Sequence, residues 1–121
     1  MKAQAIRDTL DAMAKISGVR SCALVEVEAG MVWHHAGSEQ DAQNFAEAAS
    51  DYWRLYRRLA GQFETLGELK ASVLVHARGR LTLLPCGRDM LLFALTHNQS
   101  PPDWRQWQEQ ARQLAVLVNQ M

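Results

Sequence analysis

Residues 69–97 read LKASVLVHARGRLTLLPCGRDMLLFALTH, and their turn signals and apolar runs indicate how the sheet is arranged. Two short turn signals, Arg78-Gly79 and Cys86–Asp89, divide it into the predicted strands Leu69–Ala77, Arg80–Pro85 and Met90–His97. Because turns this short connect neighbouring antiparallel strands, the three strands are predicted to form a meander. The last strand is apolar on both faces, which is typical of a strand in the middle of a sheet that is covered on both sides.

The residues before the meander predict a helix and then a hairpin. Apolar residues three and four positions apart favour a helix from Lys2 to Ile16, and Ser17-Gly18 supplies its end. Val19–Val27 is rich in residues that favour strands, and Met31–His35 follows it after the turn Glu28–Gly30. Two such segments joined by a short turn indicate a β-hairpin.

A second helix, of about twenty residues, is predicted to begin at Ser38–Asp41, where a hydroxyl cap is followed three residues later by an acid. Two neighbouring stripes run along this helix. The first is interpreted as the core-facing seam, and its members are Phe45, Ala49, Tyr52, Tyr56, Leu59 and Phe63. The second lies beside it and contains Ala46, Ser50, Trp53, Arg57 and Ala60. Trp53 either anchors an interface or widens the core face.

The last segment predicts a third helix and completes the architecture. Ser100–Asp103 offers a cap, a proline near the first helical position and an acid in the first turn. The apolar stripe that follows is Trp104, Trp107, Ala111, Leu114 and Val118. We therefore expect an α+β fold over a single domain, residues 1–121. It is a three-layer α/β/α arrangement with one five-stranded antiparallel sheet and the order α-β-β-α-β-β-β-α.

Composition narrows the classes of function. The chain has 121 residues, and its 13 Lys and Arg balance its 13 Asp and Glu. This balance gives no sign of the basic surface that nucleic-acid binding needs, so no nucleic-acid partner is expected. The longest apolar run, Met90–Leu95, is far shorter than the ~18 residues of a membrane-spanning helix. We expect a cytoplasmic protein that does not insert into a membrane.

Motifs that carry chemistry are missing from the sequence. It contains no glycine-rich phosphate loop, no GxSxG elbow and no HExxH. His34 and His35 are neighbours on a strand and should point to opposite faces, which disfavours a shared metal ion. Cys22 and Cys86 lie in apolar strand contexts and are interpreted as buried, inert thiols. The sequence therefore predicts no catalytic residues, no cofactor and no metal.

Two surface features stand out instead. The strand Leu69–Ala77 is apolar, is expected at a sheet edge and is protected only by Lys70, so it invites pairing with a second chain. The predicted dimer interface consists of Leu69, Ala71, Ser72, Val73 and Val75. The second helix adds a predicted partner-binding cluster of Trp53, Arg54, Arg57 and Arg58, residue types that are enriched in binding hot spots. The opposing interpretation is that Arg54 pairs with Asp51 and that the arginines merely complement the helix dipole.

Several of these segments resemble the opening of Roadblock domains, the dynein light-chain type. The resemblance rests on four segments: GVRSCALVEV at residues 18–27, the Glu28–Gly30 turn, Met31–Trp33, and FAEAA at Phe45–Ala49. The predicted order of helices and strands extends the resemblance over essentially the whole chain. The sequence departs from the family pattern at two places. Glu26 and Glu28 stand where the family pattern has aspartates, and Pro85 interrupts the fourth strand.

The resemblance implies a non-enzymatic homodimer in which third strands pair and second helices lie side by side. Bacterial Roadblock proteins often partner or regulate small Ras-like GTPases, whereas eukaryotic members serve as dynein light chains or scaffold subunits. The compact single-domain length favours the bacterial type, so a bacterial member that binds a small Ras-like GTPase or another cytosolic protein is expected. Two alternatives stay open. One is a profilin-like small-molecule sensor whose pocket is lined by Trp33, His35 and the aromatic helix, and the other is an enzyme whose catalytic groups meet only in space.

Overall fold

The computed structural model describes residues 2–38 and 40–120. Their helices are α1 (Lys2–Ala14), α2 (Ala42–Leu59) and α3 (Trp104–Asn119), and a 3₁₀ segment (Ala60–Leu66) follows α2. The strands are β1 (Val19–Glu26), β2 (Val32–Gly37), β3 (Ser72–His76), β4 (Gly79–Pro85) and β5 (Met90–Thr96). All pair antiparallel in one sheet of order β2-β1-β5-β4-β3. The predicted fold class and element order are confirmed.

Strand β5 lies at the centre of the sheet, between β1 and β4. Every residue from Leu91 to Thr96 is buried, because helices cover both faces at this position. Helices α1 and α3 pack on one face over a cluster that includes Cys22, Leu24 and Leu92. Helix α2 packs on the other face over a second cluster, in which Phe93 is fully buried.

The helix starts differ from the prediction in two places. Asp103, rather than Ser100, caps α3, since its carboxylate accepts hydrogen bonds from the backbone N–H of Arg105 (3.0 Å) and Gln106 (3.4 Å). Helix α2 begins at Ala42 rather than near Ser38, and Asp41 precedes it without a side-chain capping bond. Glu39, within the predicted start, lies outside the described residues.

Helix α2 packs on the sheet through a different face from the one predicted. The residues buried against the sheet are Ala42, Ala46, Ala49, Ser50 and Trp53. The predicted core seam is largely exposed: Phe45 is 36% exposed, Tyr52 55%, Leu59 47% and Phe63 38%. Small side chains allow the helix backbone to approach the sheet closely, so the face with the alanines is the inner one. Trp53 also lies on this inner face, whereas Phe45, Tyr52 and Phe63 remain outside.

The segment between α2 and β4 contains less regular secondary structure than the sequence predicts. The predicted strand Leu69–Ala77 contracts to Ser72–His76, so Leu69 and Ala71 precede the strand. The second helix ends at Leu59, and the 3₁₀ segment has a non-helical backbone at Phe63 (φ −116°, ψ 16°). At the other end of β4, Pro85 is the last residue of the strand, as its missing N–H requires.

Candidate interaction surface

Strand β3 forms an edge of the sheet. It pairs with β4, Ser72 lying opposite Leu83 and His76 opposite Gly79, and among the residues that the structure describes no strand lies on its other side. Val73 is 50% exposed and Val75 67% exposed. The predicted edge position of this strand is confirmed. An exposed apolar edge presents unpaired backbone groups to any second strand that approaches it.

Helix α2 and the 3₁₀ segment carry a second exposed apolar feature, which we call the α2 apolar surface. Its members are Phe45, Tyr52, Leu55, Tyr56, Leu59, Phe63 and Leu66. All are exposed except Tyr56, which is half-buried. Large side chains at helical spacing normally face the core of their own chain. Exposed apolar residues grouped in this way are typical of surfaces that bind another protein, a membrane or a ligand.

Among the predicted partner-binding residues, Arg54 is a structural tie within the chain. Its Nη1 donates to the carbonyl of Val27 (3.0 Å) and to Oγ of Ser50 (3.1 Å), and its Nη2 forms an ion pair with Asp51. Gly30 makes room for this contact, because a Cβ at that position would lie 2.9 Å from Arg54 Nη1. The guanidinium therefore fastens α2 to the end of β1.

The other two arginines are exposed. Arg57 Nη1 lies 3.1 Å from Oε1 of Glu28, in an ion pair that is open to solvent on both sides. Arg58 is exposed and makes no ion pair with any residue in the described ranges. Both line an open cavity of about 580 Å³ together with Arg54, Asp51, Leu55 and Glu28. Because two carboxylates share this cavity with the cations, its charge is mixed rather than simply positive.

Trp53 is more deeply buried than these cations, although it lines a second cavity of about 350 Å³ together with Arg57. Its side chain is 7% exposed and belongs to the apolar cluster between α2 and the sheet. The structure thus brings Arg54, Arg57 and Arg58 to one cavity and gives Trp53 a core position. Sequence spacing alone does not separate these roles, since residues 53 and 57 share a helix face and differ only in how deeply each side chain is covered.

A Roadblock/LC7 domain profile matches residues 5–96 of the chain, which is most of its length. The chain belongs to the Roadblock/LC7 family. No curated protein sequence matches it. A Roadblock/LC7 domain from Streptomyces avermitilis superposes with a TM-score of 0.77 at 19% identity, covering 94% of each chain.

Two further solved structures are similar to this Roadblock/LC7 domain. The gliding protein MglB of Thermus thermophilus has a TM-score of 0.80 at 18% identity, over 99% of this chain and 93% of its own. An MglB with a tetrameric arrangement has a TM-score of 0.79 at 19% identity, over 98% of this chain and 91% of its own. At such identities these likenesses establish the fold.

The thiols of this Roadblock/LC7 domain are buried and free. Burial, with a smaller contribution from the charge of Asp11, raises the pKa of Cys22 from 9.0 to about 12. Burial likewise raises the pKa of Cys86 from 9.0 to about 12. The Cys22 thiol donates to the carbonyl oxygen of Leu10 at 3.2 Å. Because the thiolate is the reactive form, neither side chain is prepared to act as a nucleophile.

Trp33 and His35, which would line the pocket of the alternative small-molecule sensor, do not come together in the described residues. An irregularity in the β1–β2 pairing, between Leu24 and Val25, changes the alternation of side chains along β2. Trp33 packs on the side of α1, where Arg7 lies 5.1 Å from its ring centroid. His35 is paired with Ala23, which faces α2, so the two side chains lie on opposite faces of the sheet.

Two further observations concern metal ions and membranes. Within residues 2–38 and 40–120, no group of three or more His, Cys, Asp and Glu side chains is arranged to hold a metal ion. Over the same ranges, none of the helices combines the length and the apolar character needed to cross a bilayer.

Proposed function

We propose that this Roadblock/LC7 domain is a non-enzymatic homodimeric platform that binds or regulates a small Ras-like GTPase or another cytosolic protein. The proposal rests on two features that the single chain leaves exposed, the α2 apolar surface and the unpaired edge of β3. A second copy covers both features at once when β3 pairs with β3 and α2 lies beside α2.

The strand side of this interface consists of Ser72, Val73 and Val75, with Leu69 and Ala71 just before the strand. Val73 and Val75 offer apolar side chains at half exposure or more. Antiparallel pairing of two β3 strands satisfies the outward backbone groups of both copies. It also places apolar side chains across from one another, which stabilises a pair of strands.

The helix side adds the buried area that two short strands lack. A stable interface needs about 1,200–2,000 Å² of total buried surface, with an apolar and aromatic centre. Phe45, Tyr52, Tyr56 and Phe63 supply aromatic side chains at this position. The tetrameric arrangement of one structurally similar MglB supports self-association as a property of this fold.

The Ras-like partner is inferred from the family resemblance. The surface proposed for it is the cavity of Arg54, Arg57 and Arg58, and Trp53 packs between the same helix and the sheet. Arg58 carries a charge that no described residue neutralises. The acid that pairs with Arg57 is 70% exposed, so a partner carboxylate can replace it at little cost. An acidic surface on a protein partner fits these groups.

Self-association is tested with Val73→Lys in β3 and with Val116→Lys in α3 as the matched control. The two valines are 50% and 55% exposed, so both substitutions should leave the melting temperature nearly unchanged. Val73→Lys places like charges at the strand pair and should shift the chain to monomer in sedimentation velocity. A Val73→Lys variant that is as dimeric as Val116→Lys would overturn the interface.

The partner surface is tested with Arg57→Glu combined with Arg58→Glu, against Arg105→Glu combined with Arg112→Glu on α3. The control matches the test pair, because Arg112 also forms an exposed ion pair, with Glu109. Binding to purified Ras-like GTPases from the same organism is measured for the GDP form and the GTP-analogue form. The first variant should lose binding and stay dimeric, and the second should retain both. Equal binding by both variants would place the partner surface elsewhere.

A further inference from the structure

A cavity of about 410 Å³ lies on the α2 side of the sheet, at the end where β3 turns into β4. Its apolar walls are Phe45, from the first turns of α2, Leu81 of β4 and Leu95 of β5. Leu95 is buried and belongs to the cluster beneath α2, and Leu81 packs against the same cluster. A volume of about 300–1,000 Å³ is usual for small-molecule sites. Trp33 and His35 take no part in this cavity.

The polar side chains that line the cavity are all basic. Arg20, His76 and Arg78 line it, and no Asp or Glu is among its lining residues. Arg20 Nη1 donates to the backbone carbonyl of Arg78 at 3.0 Å, which fixes the β3–β4 turn against β1. The side chain of Arg78 is exposed at this turn. The whole chain has zero net charge, so a cavity rim with two arginines and no acid is a local concentration of positive charge.

We propose that this cavity binds a small amphipathic anion: a carboxylate at the Arg78 rim joined to an apolar body that fills the space between Phe45, Leu81 and Leu95. The apolar walls favour a hydrocarbon body, since burial of apolar surface drives its transfer from water. The guanidinium favours a carboxylate, because its planar set of donors matches the two oxygens.

All of the residues that line the cavity belong to one chain, and one of them, Phe45, is shared with the α2 apolar surface that the proposed dimer would cover. Gly79 contributes to the fit, since a Cβ at this position would approach both Arg20 Nη1 and Leu95 Cδ1 at 3.2 Å. Residue 79 therefore leaves the cavity open where any larger side chain would narrow it. A failure to bind an anion would leave the proposed self-association untouched, and a monomeric chain would leave this cavity intact.

The experiment titrates the full chain with octanoate and follows the backbone amide signals by NMR. Octanamide, which has the same apolar body without the charge, and acetate, which has the charge without the body, are the two ligand controls. The variant is Arg78→Gln in the β3–β4 turn, and its matched control is Arg88→Gln, an exposed arginine in the β4–β5 turn at the other end of β4.

Octanoate should bind saturably, shifting the signals of Gly79, Leu81 and Leu95. Arg78→Gln should weaken its binding by about fivefold or more, while Arg88→Gln leaves it unchanged. Octanamide and acetate should each bind more weakly than octanoate. Three results would overturn the proposal: no saturation with octanoate, equal binding of octanoate and octanamide, or equal affinities of Arg78→Gln and Arg88→Gln.

Discussion

The rings of Tyr56 and Phe63 stack with their centroids 5.3 Å apart and their planes 14° apart. Tyr56 belongs to α2 and Phe63 to the 3₁₀ segment, so the contact spans the point where the α-helix ends. Stacked aromatic pairs contribute about 0.5–1.5 kcal/mol beyond the area they bury. The stack holds the 3₁₀ segment against the last turn of α2 and extends the α2 apolar surface past Leu59.

A charge on the α2 apolar surface should break self-association without unfolding the chain. Tyr52→Glu combined with Leu59→Glu changes two side chains that are 55% and 47% exposed, so the single chain loses little packing. In the dimer, however, each carboxylate would be removed from water without a partner, which is strongly unfavourable. The dissociation constant of the dimer should rise by at least about tenfold.

The control for this variant is Met31→Glu combined with Val116→Glu, at side chains that are 62% and 55% exposed on other surfaces. Sedimentation equilibrium and the melting temperature are measured for both double variants. Equal dimer dissociation constants for the two would show that the α2 apolar surface lies outside the interface.

Arg54 should contribute to folding stability rather than to recognition alone. Arg54→Met keeps an apolar stem and removes the bonds to Val27 and Ser50, so the free energy of unfolding should fall by about 1–2 kcal/mol. Arg58→Met removes an exposed guanidinium and should change the same quantity by no more than about 0.5 kcal/mol. Urea unfolding measures both. Equal losses for the two variants would contradict the role of Arg54 as a tie between α2 and β1.

The two buried thiols should make the chain less stable at alkaline pH. In the folded chain the pKa values of Cys22 and Cys86 are about 12, against 9.0 for an ordinary thiol. Between these values the unfolded chain releases thiol protons that the folded chain retains, so their contribution is complete below pH 9 and is lost as the pH rises toward 12.

Cys22→Ala combined with Cys86→Ala should therefore give a shallower decline in the free energy of unfolding over this range. The check is urea unfolding at a series of pH values, with thiol labelling of the native chain at neutral pH as a second readout. Rapid labelling of the unmodified native chain, or parallel pH profiles for the two proteins, would contradict the burial of these thiols.

The central position of β5 was predictable because its sequence is apolar on both faces, a pattern that requires cover on both sides of the sheet. The inner face of α2 was not predictable in the same way. The large aromatic side chains dominate the hydrophobic pattern of this helix. The residues that pack on the sheet nevertheless include the three small alanines at 42, 46 and 49. Periodicity identifies an apolar face without saying whether it meets its own chain or another.

The candidate site, like the fold, was predictable from the sequence only in part. Local pattern identified the edge strand, and the cluster of arginines on one helix is visible in the sequence. The tie between Arg54 and Val27 depends on how α2 crosses the end of β1, a non-local packing that residue spacing does not encode. The irregular pairing near Leu24 separates Trp33 from His35 for the same reason, since such irregularities have no signature in these residues.

Sedimentation equilibrium of the unmodified chain at tens of micromolar tests the proposed homodimer directly, because in that proposal a second copy covers the exposed β3 edge and the α2 apolar surface. We expect a single species at twice the 13.6 kDa mass of the chain. A species at 13.6 kDa throughout that concentration range would contradict it.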